Sequence, residues 1–188
     1  MGLFDNIKNA VNDVAKSASD PNKTPKTVDV VFSSLPETYE EFVAMPQAAM
    51  STPYDTAAMT ILAFCFFPQD KELCYRMVQY LKGPSELSAY QRSFIKDRFE
   101  DADYIPRSYF KGAVPGNDYV PSKPYTITIS TNPHSFDNDG YVRVWINSGG
   151  ADSPRQIDLR LAKDGKWYLW EQYVLVGIRK PESTNPWA

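Results

Sequence analysis

The sequence predicts an α+β fold, with N-terminal helices packed on one face of a C-terminal antiparallel β-meander of three to five strands. The first half places its apolar residues at helical spacing, in segments that Pro and Gly separate. From Tyr125 onward, apolar and polar residues alternate, and short turns rich in Asn, Asp and Gly divide the segments. A chain of 188 residues is long enough to bury one core for such a fold.

The chain begins with an amphipathic segment. Residues 1–18 are predicted to form a helix, and its apolar stripe contains Leu3, Phe4, Ile7, Val11 and Val14. Residues 19–27 hold two prolines among small polar residues, which is typical of a linker. The expected organisation is a docking helix over 1–18, a linker over 19–27, a single α+β domain over 28–181 and a tail over 182–188.

The body opens with a short apolar segment, residues 28–32, that predicts a strand. Four helices are expected to follow, each beginning after a residue whose side chain can cap the free N–H groups of a first turn. These expected N-caps are Thr38, Thr52, Asp70 and Ser88. The helix after Thr52 is apolar on nearly all sides and is expected to run to Phe67 as the central core helix.

Residues 102–124 predict an ordered but irregular connection that is rich in Tyr. A loop of this length inside a compact domain often has a function. Strands are expected after it over 125–130, 141–148, 155–161 and 166–178. Alternation assigns one face of this sheet to the helices and leaves a polar, aromatic face on the other side.

Composition and motifs argue against several function classes. The net charge of −3 comes from 20 basic and 23 acidic residues spread along the chain, so no basic surface for nucleic acid is expected. His134 is the single histidine, and with Cys65 and Cys74 it cannot form a closed zinc site without carboxylates from elsewhere. A solvated turn residue is favoured for His134 over a catalytic base, because no nucleophile motif accompanies it. No glycine-rich phosphate-binding motif occurs. We therefore expect no metal and no cofactor.

The redox state of the two cysteines depends on the compartment of the protein. Cys65 and Cys74 are expected to be reduced, buried thiols, although a disulfide between facing helices is an alternative. The opening residues lack the apolar core of a secretory signal, and the apolar stretch 57–67 is too short to span a bilayer. Cytoplasmic localisation is the resulting expectation.

Glu171 is a weak candidate for a catalytic residue. It lies between Trp170 and Gln172 in an otherwise apolar strand. Burial among aromatic rings would raise the pKa of its carboxyl group, which suits a general acid. The alternative is a structural ion pair with Arg143, Arg160 or Arg179 on a face of the sheet.

Two surfaces are candidates for binding. The first is the polar sheet face with the adjoining loop, where a ligand or partner could contact aromatic rings. Its expected residues are Arg143, Trp145, Tyr168, Trp170, Tyr109 and Tyr119. The second is the apolar stripe of residues 3–14, for which docking on a protein is favoured: its own body, a partner or another copy. Peripheral membrane contact is the less favoured alternative, because Asp5 and Asp13 cancel Lys8 and Lys16.

Three segments carry a resemblance to a known family. They read LKGPSELSAYQRSFIKDRF, SYFKGAVPGNDYVPSKPYTITI and GADSPRQIDLRLAKDGKWYLWEQYVLVGIRKP. Together they resemble an uncharacterised bacterial family, a domain of unknown function seen in Firmicutes, over about residues 28–181. The KDGKWYLWE hairpin is more distantly similar to strands of cone-shaped sheets of the nuclear-transport-factor type. Neither resemblance implies an activity, a cofactor or a site residue.

The sequence thus favours a protein of unknown function that acts as a non-enzymatic binding or interaction module. Its amphipathic N-terminal helix would mediate protein docking or self-association. The alternative is a small carboxylate-dependent enzyme, hydrolase-like, with a pocket at the aromatic sheet face.

Overall fold

The computed structural model describes residues 24–184 and 186–187. The predicted N-terminal helix over 1–18 and most of the predicted linker lie outside these residues. The strands are β1 (Thr27–Phe32), β2 (Tyr125–Ser130), β3 (Tyr141–Ile146), β4 (Arg155–Leu161) and β5 (Trp167–Gln172). The α-helices are α1 (Tyr39–Ala44), α2 (Pro53–Phe64), α3 (Lys71–Lys82) and α4 (Ala89–Phe99).

The sheet is antiparallel and open, with its strands in sequential order from β1 to β5. The helices are inserted between β1 and β2, which pair along their whole length with Val30 opposite Ile127. The predicted fold class, α+β with a meander, is therefore confirmed. Because the order is sequential, β1 and β5 are the two edges of the sheet.

Helix α2 forms the centre of the core. Thr52 caps it by accepting a hydrogen bond from the Asp55 backbone N–H at 3.2 Å, and Pro53 occupies its first turn. All of its residues except Asp55 are buried. It packs against every strand of the sheet, as expected for a helix that is apolar on nearly all sides.

The other predicted N-caps also begin helices. Thr38, Asp70 and Ser88 each accept a hydrogen bond from a backbone N–H in the first turn of α1, α3 and α4. At α4 the contact is reciprocal, because the Gln91 side chain also accepts from the Ser88 backbone N–H at 3.1 Å. This capping box fixes where α4 starts beside β5.

Alternation along the strands separates the two faces as predicted. The buried face carries Ile127, Ile129, Val142, Val144, Ile146, Ile157 and Leu159. Leu161, at the end of β4, is the exception, since 41% of its surface is exposed. Arg143 and Arg160 lie on the opposite, exposed face.

The last strand is shorter than predicted. β5 ends at Gln172, and the segment from 173 to 178, expected to continue the strand, turns away from the sheet. Tyr173 still donates its backbone N–H to the Gln156 carbonyl of β4, but the carbonyls of Val174, Val176 and Gly177 accept hydrogen bonds from side chains. Arg155 donates to the carbonyls of Val176 and Gly177, at 2.9 and 2.7 Å. The turn buries Val174 and Leu175, so its apolar sequence reflects loop burial and not a longer strand.

Candidate functional site

The predicted aromatic surface divides into buried and exposed parts. Tyr109 and Tyr119 lie in the interior, with 2% and 0% of their surface exposed. The Tyr109 hydroxyl donates to the Val174 carbonyl and the Tyr119 hydroxyl to the Arg179 carbonyl, both at 2.6 Å. Burial raises the pKa of both phenols. They attach the 102–124 loop to the C-terminal segment, and they do not line an exposed face.

Arg143 and Trp145 occupy the open face of the sheet. The Arg143 guanidinium donates to both carboxylate oxygens of Asp158 on β4, at 2.7 and 2.9 Å, which raises the pKa of Arg143. Trp145 is half-buried, and its indole Nε1 has no hydrogen-bond partner among the described residues. The pair Arg143–Asp158 thus joins β3 to β4 across this face.

Trp170 owes its position to a β-bulge. Glu171 lies opposite Asp158 and Leu169 lies opposite Leu159, so Trp170 is an extra residue on β5. Its ring meets Tyr141 edge-on at 5.6 Å, and the Arg160 guanidinium lies 5.1 Å from the ring centre. The bulge brings this ring onto the open face. Alternation in the sequence does not assign the faces of this strand, because it is apolar on both sides.

Tyr168 makes two structural contacts, one through its hydroxyl and one through its ring. Its hydroxyl donates to Asp164 in the β4–β5 turn at 2.7 Å, which raises the pKa of Tyr168 to about 12. Its ring lies directly against Gly83, the residue that ends α3. Tyr168 therefore holds the turn and the helix end together.

A polar concavity of about 650 Å³ covers part of the open face. Its charged lining consists of His134, Asp137, Asp139, Arg143 and Asp158. The His134 ring Nδ1 lies 3.1 Å from a carboxylate oxygen of Asp137, and 85% of the His134 side chain is exposed. Water therefore reaches the His134–Asp137 pair freely, while the Asp158 side chain is only 17% exposed and paired with Arg143. The open His134 end does not suit acid–base chemistry that depends on an enclosed site.

The structure places Glu171 on the surface. Glu171 is exposed, so its carboxylate lacks the apolar enclosure that the sequence predicted. It lies opposite Asp158 and beside the groove described next.

A groove runs along the outer side of β5, between that strand and helices α3 and α4. This edge groove has a volume of about 300 Å³. Its walls are apolar side chains from α2, α3, α4 and β5, with two exposed tyrosines at the rim. The wall residues include Phe64, Val78, Phe94, Ile95, Leu169 and Trp170, and the rim residues are Tyr90 and Tyr173.

Lys82 brings a charge into this apolar groove. It is the last residue of α3, and only 5% of its surface is exposed. Its ammonium donates to the Trp170 carbonyl at 3.4 Å, which is long for a charge-assisted bond. Burial lowers the pKa of Lys82, and the negative charge of Glu171 partly opposes that effect. A buried ammonium with one long hydrogen bond can still donate to a ligand.

Sequence reasoning missed Lys82 and the edge groove. Lys82 lies in the last turn of a helix, where a lysine is usually explained by the negative end of the helix dipole. Its burial depends on how the end of α3 packs against β5, which no local pattern reveals. The apolar spacing of Phe94 and Ile95 was visible, but it does not indicate an open groove.

The cysteines and possible metal ligands add no further site. Cys65 and Cys74 are free thiols, and burial raises the pKa of Cys65 to about 12. Burial also raises the pKa of Cys74.

Over residues 24–184 and 186–187, no cluster of three or more His, Cys, Asp or Glu side chains is arranged to hold a metal ion. Within the same ranges, no helix has the length and apolar character needed to span a bilayer.

Comparison with known families identifies the domain. Residues 34–182 match the family described as Domain of unknown function (DUF6935). The chain belongs to this family. The DUF6935 match covers α1 to α4 and β2 to β5, and therefore includes every wall of the edge groove. No curated protein and no solved structure matches the chain.

Proposed function

We propose that this DUF6935 protein is a non-enzymatic binding module and that the edge groove is its ligand site. The observation that supports the proposal is a groove with apolar walls from α2, α3, α4 and β5 and one buried cation, Lys82. A mostly apolar concavity with a few polar groups is the usual form of a ligand site. Its volume, about 300 Å³, suits a small ligand.

The N-terminal stripe is the second part of the proposal. Leu3, Phe4, Ile7, Val11 and Val14 would dock on a protein partner or on another copy, because an apolar stripe with balanced charge on the polar side binds anionic lipid only weakly. Cytoplasmic localisation belongs to the proposal and is supported by the sequence alone. A bacterial source of the Firmicutes type is likewise supported only by the resemblance.

The alternative function, a carboxylate-dependent enzyme at the sheet face, is less well supported. In its favour, Asp137, Asp139 and Asp158 line one concavity. Against it, Asp137 is engaged by His134 and Asp158 by Arg143, and the His134 end of the concavity is open to water. A binding role needs none of the proton transfers that this arrangement would have to provide.

The edge groove can be tested with a neutral apolar dye, N-phenyl-1-naphthylamine, whose fluorescence rises in apolar sites. The full chain should bind it saturably. Replacing Tyr90 and Phe94 together with Ala should weaken binding by about tenfold or more, because apolar wall and rim area is lost. A matched double variant of exposed valines elsewhere, Val114→Ala with Val120→Ala, should bind as the parent does. Equal weakening in both variants, or no binding by the parent, would contradict the proposal.

A further inference from the structure

We infer that the ligand of the edge groove is a small molecule with an unbranched apolar chain and one terminal carboxylate, which the Lys82 ammonium binds. This inference rests on the proposed function, because it assigns a ligand class to the same groove. It concerns a free monocarboxylate and not a protein segment.

The walls specify the apolar part of this ligand. Val78, Phe94, Ile95 and Leu169 offer aliphatic and aromatic surface without charge. The volume of about 300 Å³ lies near the lower limit of ligand sites, which run from roughly 300 to 1,000 Å³. A single flexible chain of medium length fits a space of this volume.

Lys82 specifies the polar end. Its residue is 5% exposed, and its hydrogen bond to the Trp170 carbonyl measures 3.4 Å. An ammonium that is buried with unused N–H groups lacks the compensation that buried charges normally have. A carboxylate would supply both an opposite charge and short hydrogen bonds, which are among the strongest in proteins.

Glu171 limits how negative the ligand can be. It lines the same groove and acts electrostatically on Lys82. Its charge therefore weakens the attraction of the groove for any anion, and more strongly for a dianion such as a phosphate monoester. One negative charge is the best match to one buried ammonium with a carboxylate nearby.

The test compares three ligands that share a ten-carbon chain: decanoate, decanol and decylamine. Each competes with N-phenyl-1-naphthylamine on the full chain near neutral pH. We expect decanoate to bind more tightly than decanol by about tenfold or more, from one charge-assisted hydrogen bond. Decylamine should bind least, because its ammonium would meet Lys82. Decanol binding as tightly as decanoate would overturn the inference while leaving the groove itself supported.

Two variants locate the carboxylate. Lys82→Met should abolish the preference for decanoate over decanol, because it removes the ammonium that distinguishes the two ligands. Glu171→Gln, a change at an exposed position, should tighten decanoate binding by up to about fivefold, because it removes a competing charge. It tests the inference even if the Lys82 variant fails to fold. Unchanged decanoate affinity in Glu171→Gln, or an unchanged preference for decanoate in a folded Lys82→Met, would overturn the assignment of the carboxylate to Lys82.

Two further outcomes distinguish failure of the ligand assignment from failure of the proposed function. If neither the dye nor any of the three ligands binds the parent chain, the proposed function fails, and the inference fails with it. If the dye binds and decanoate does not displace it, but an apolar peptide with a free C-terminal carboxylate does, the groove is a protein-binding site. The small-molecule assignment is then wrong.

Discussion

Individual side chains in this protein join elements that are far apart in the sequence, and Asp29 is an exposed example. Its carboxylate accepts hydrogen bonds from Thr128 on the neighbouring strand and from Lys111 in the loop. Both bonds hold the pKa of Asp29 below its usual value, and the bond from Lys111 has the larger effect. A group whose pKa is lower in the folded state stabilises the fold above its unfolded-state pKa of about 3.9.

We therefore predict a pH-dependent difference between the parent and Asp29→Asn. Near neutral pH the variant should be slightly less stable. The difference should shrink as pH falls through the folded-state pKa, because protonation then removes the same interaction from the parent. Urea unfolding from about pH 3 to pH 7 measures both free energies of unfolding. A difference that is constant over this range would show that the Asp29 charge is not responsible.

For single residues, the sequence shows the chemistry of a side chain but not its surroundings in the fold. Tyr109 and Tyr119 could equally have presented their polar tips to a ligand or to a backbone carbonyl. The outcome depended on where the Val174 and Arg179 carbonyls lie after folding. Lys82 is the converse case, because a residue type that is normally exposed is buried here.

Among the elements, the end of α3 packs against β5, and Gly83 lies against the Tyr168 ring at this junction. Gly83 has a φ of +58°, and a Cβ atom there would lie 2.1 Å from the Tyr168 ring. Two separate effects therefore require glycine: a backbone conformation that L-residues rarely adopt, and the closeness of an aromatic ring.

We predict that Gly83→Ala lowers the free energy of unfolding by about 2–4 kcal/mol, from backbone strain and the clash together. Gly165→Ala is the matched control, because Gly165 has a φ of +80° with no atom within 4 Å of the added Cβ. It should cost about 1 kcal/mol, from the backbone alone. Urea unfolding measures both variants. Equal losses would show that the Tyr168 contact contributes nothing.

The helices and strands were mostly predictable because their signals are local. The N-caps Thr38, Thr52, Asp70 and Ser88 act within one turn of their own helices. The bulge at Trp170 and the turn after Gln172 were not predictable. Each depends on a distant partner, since the turn is held by Arg155 and by Tyr109. The edge groove also depends on long-range packing, since its walls come from helices and a strand that are far apart in the sequence.

In the molecule as a whole, the N-terminal stripe and the edge groove belong to different parts of the chain. The DUF6935 match begins at residue 34, and every described strand and helix lies after residue 26. The stripe, Leu3 to Val14, thus lies outside the family match. Removing it leaves all groove walls in the chain, so the two proposed binding activities can be measured separately.

We predict that the full chain and a version beginning at Lys23 co-sediment equally little with vesicles that contain anionic lipid. Asp5 and Asp13 offset Lys8 and Lys16, so the electrostatic attraction that usually strengthens peripheral binding is missing. Replacing both aspartates with Asn in the full chain provides a positive control. That variant carries an excess of lysine beside the same stripe, and its vesicle binding should rise and then fall with added salt. Vesicle binding by the parent chain that the shorter version lacks would mean that the stripe docks on membranes and not on proteins.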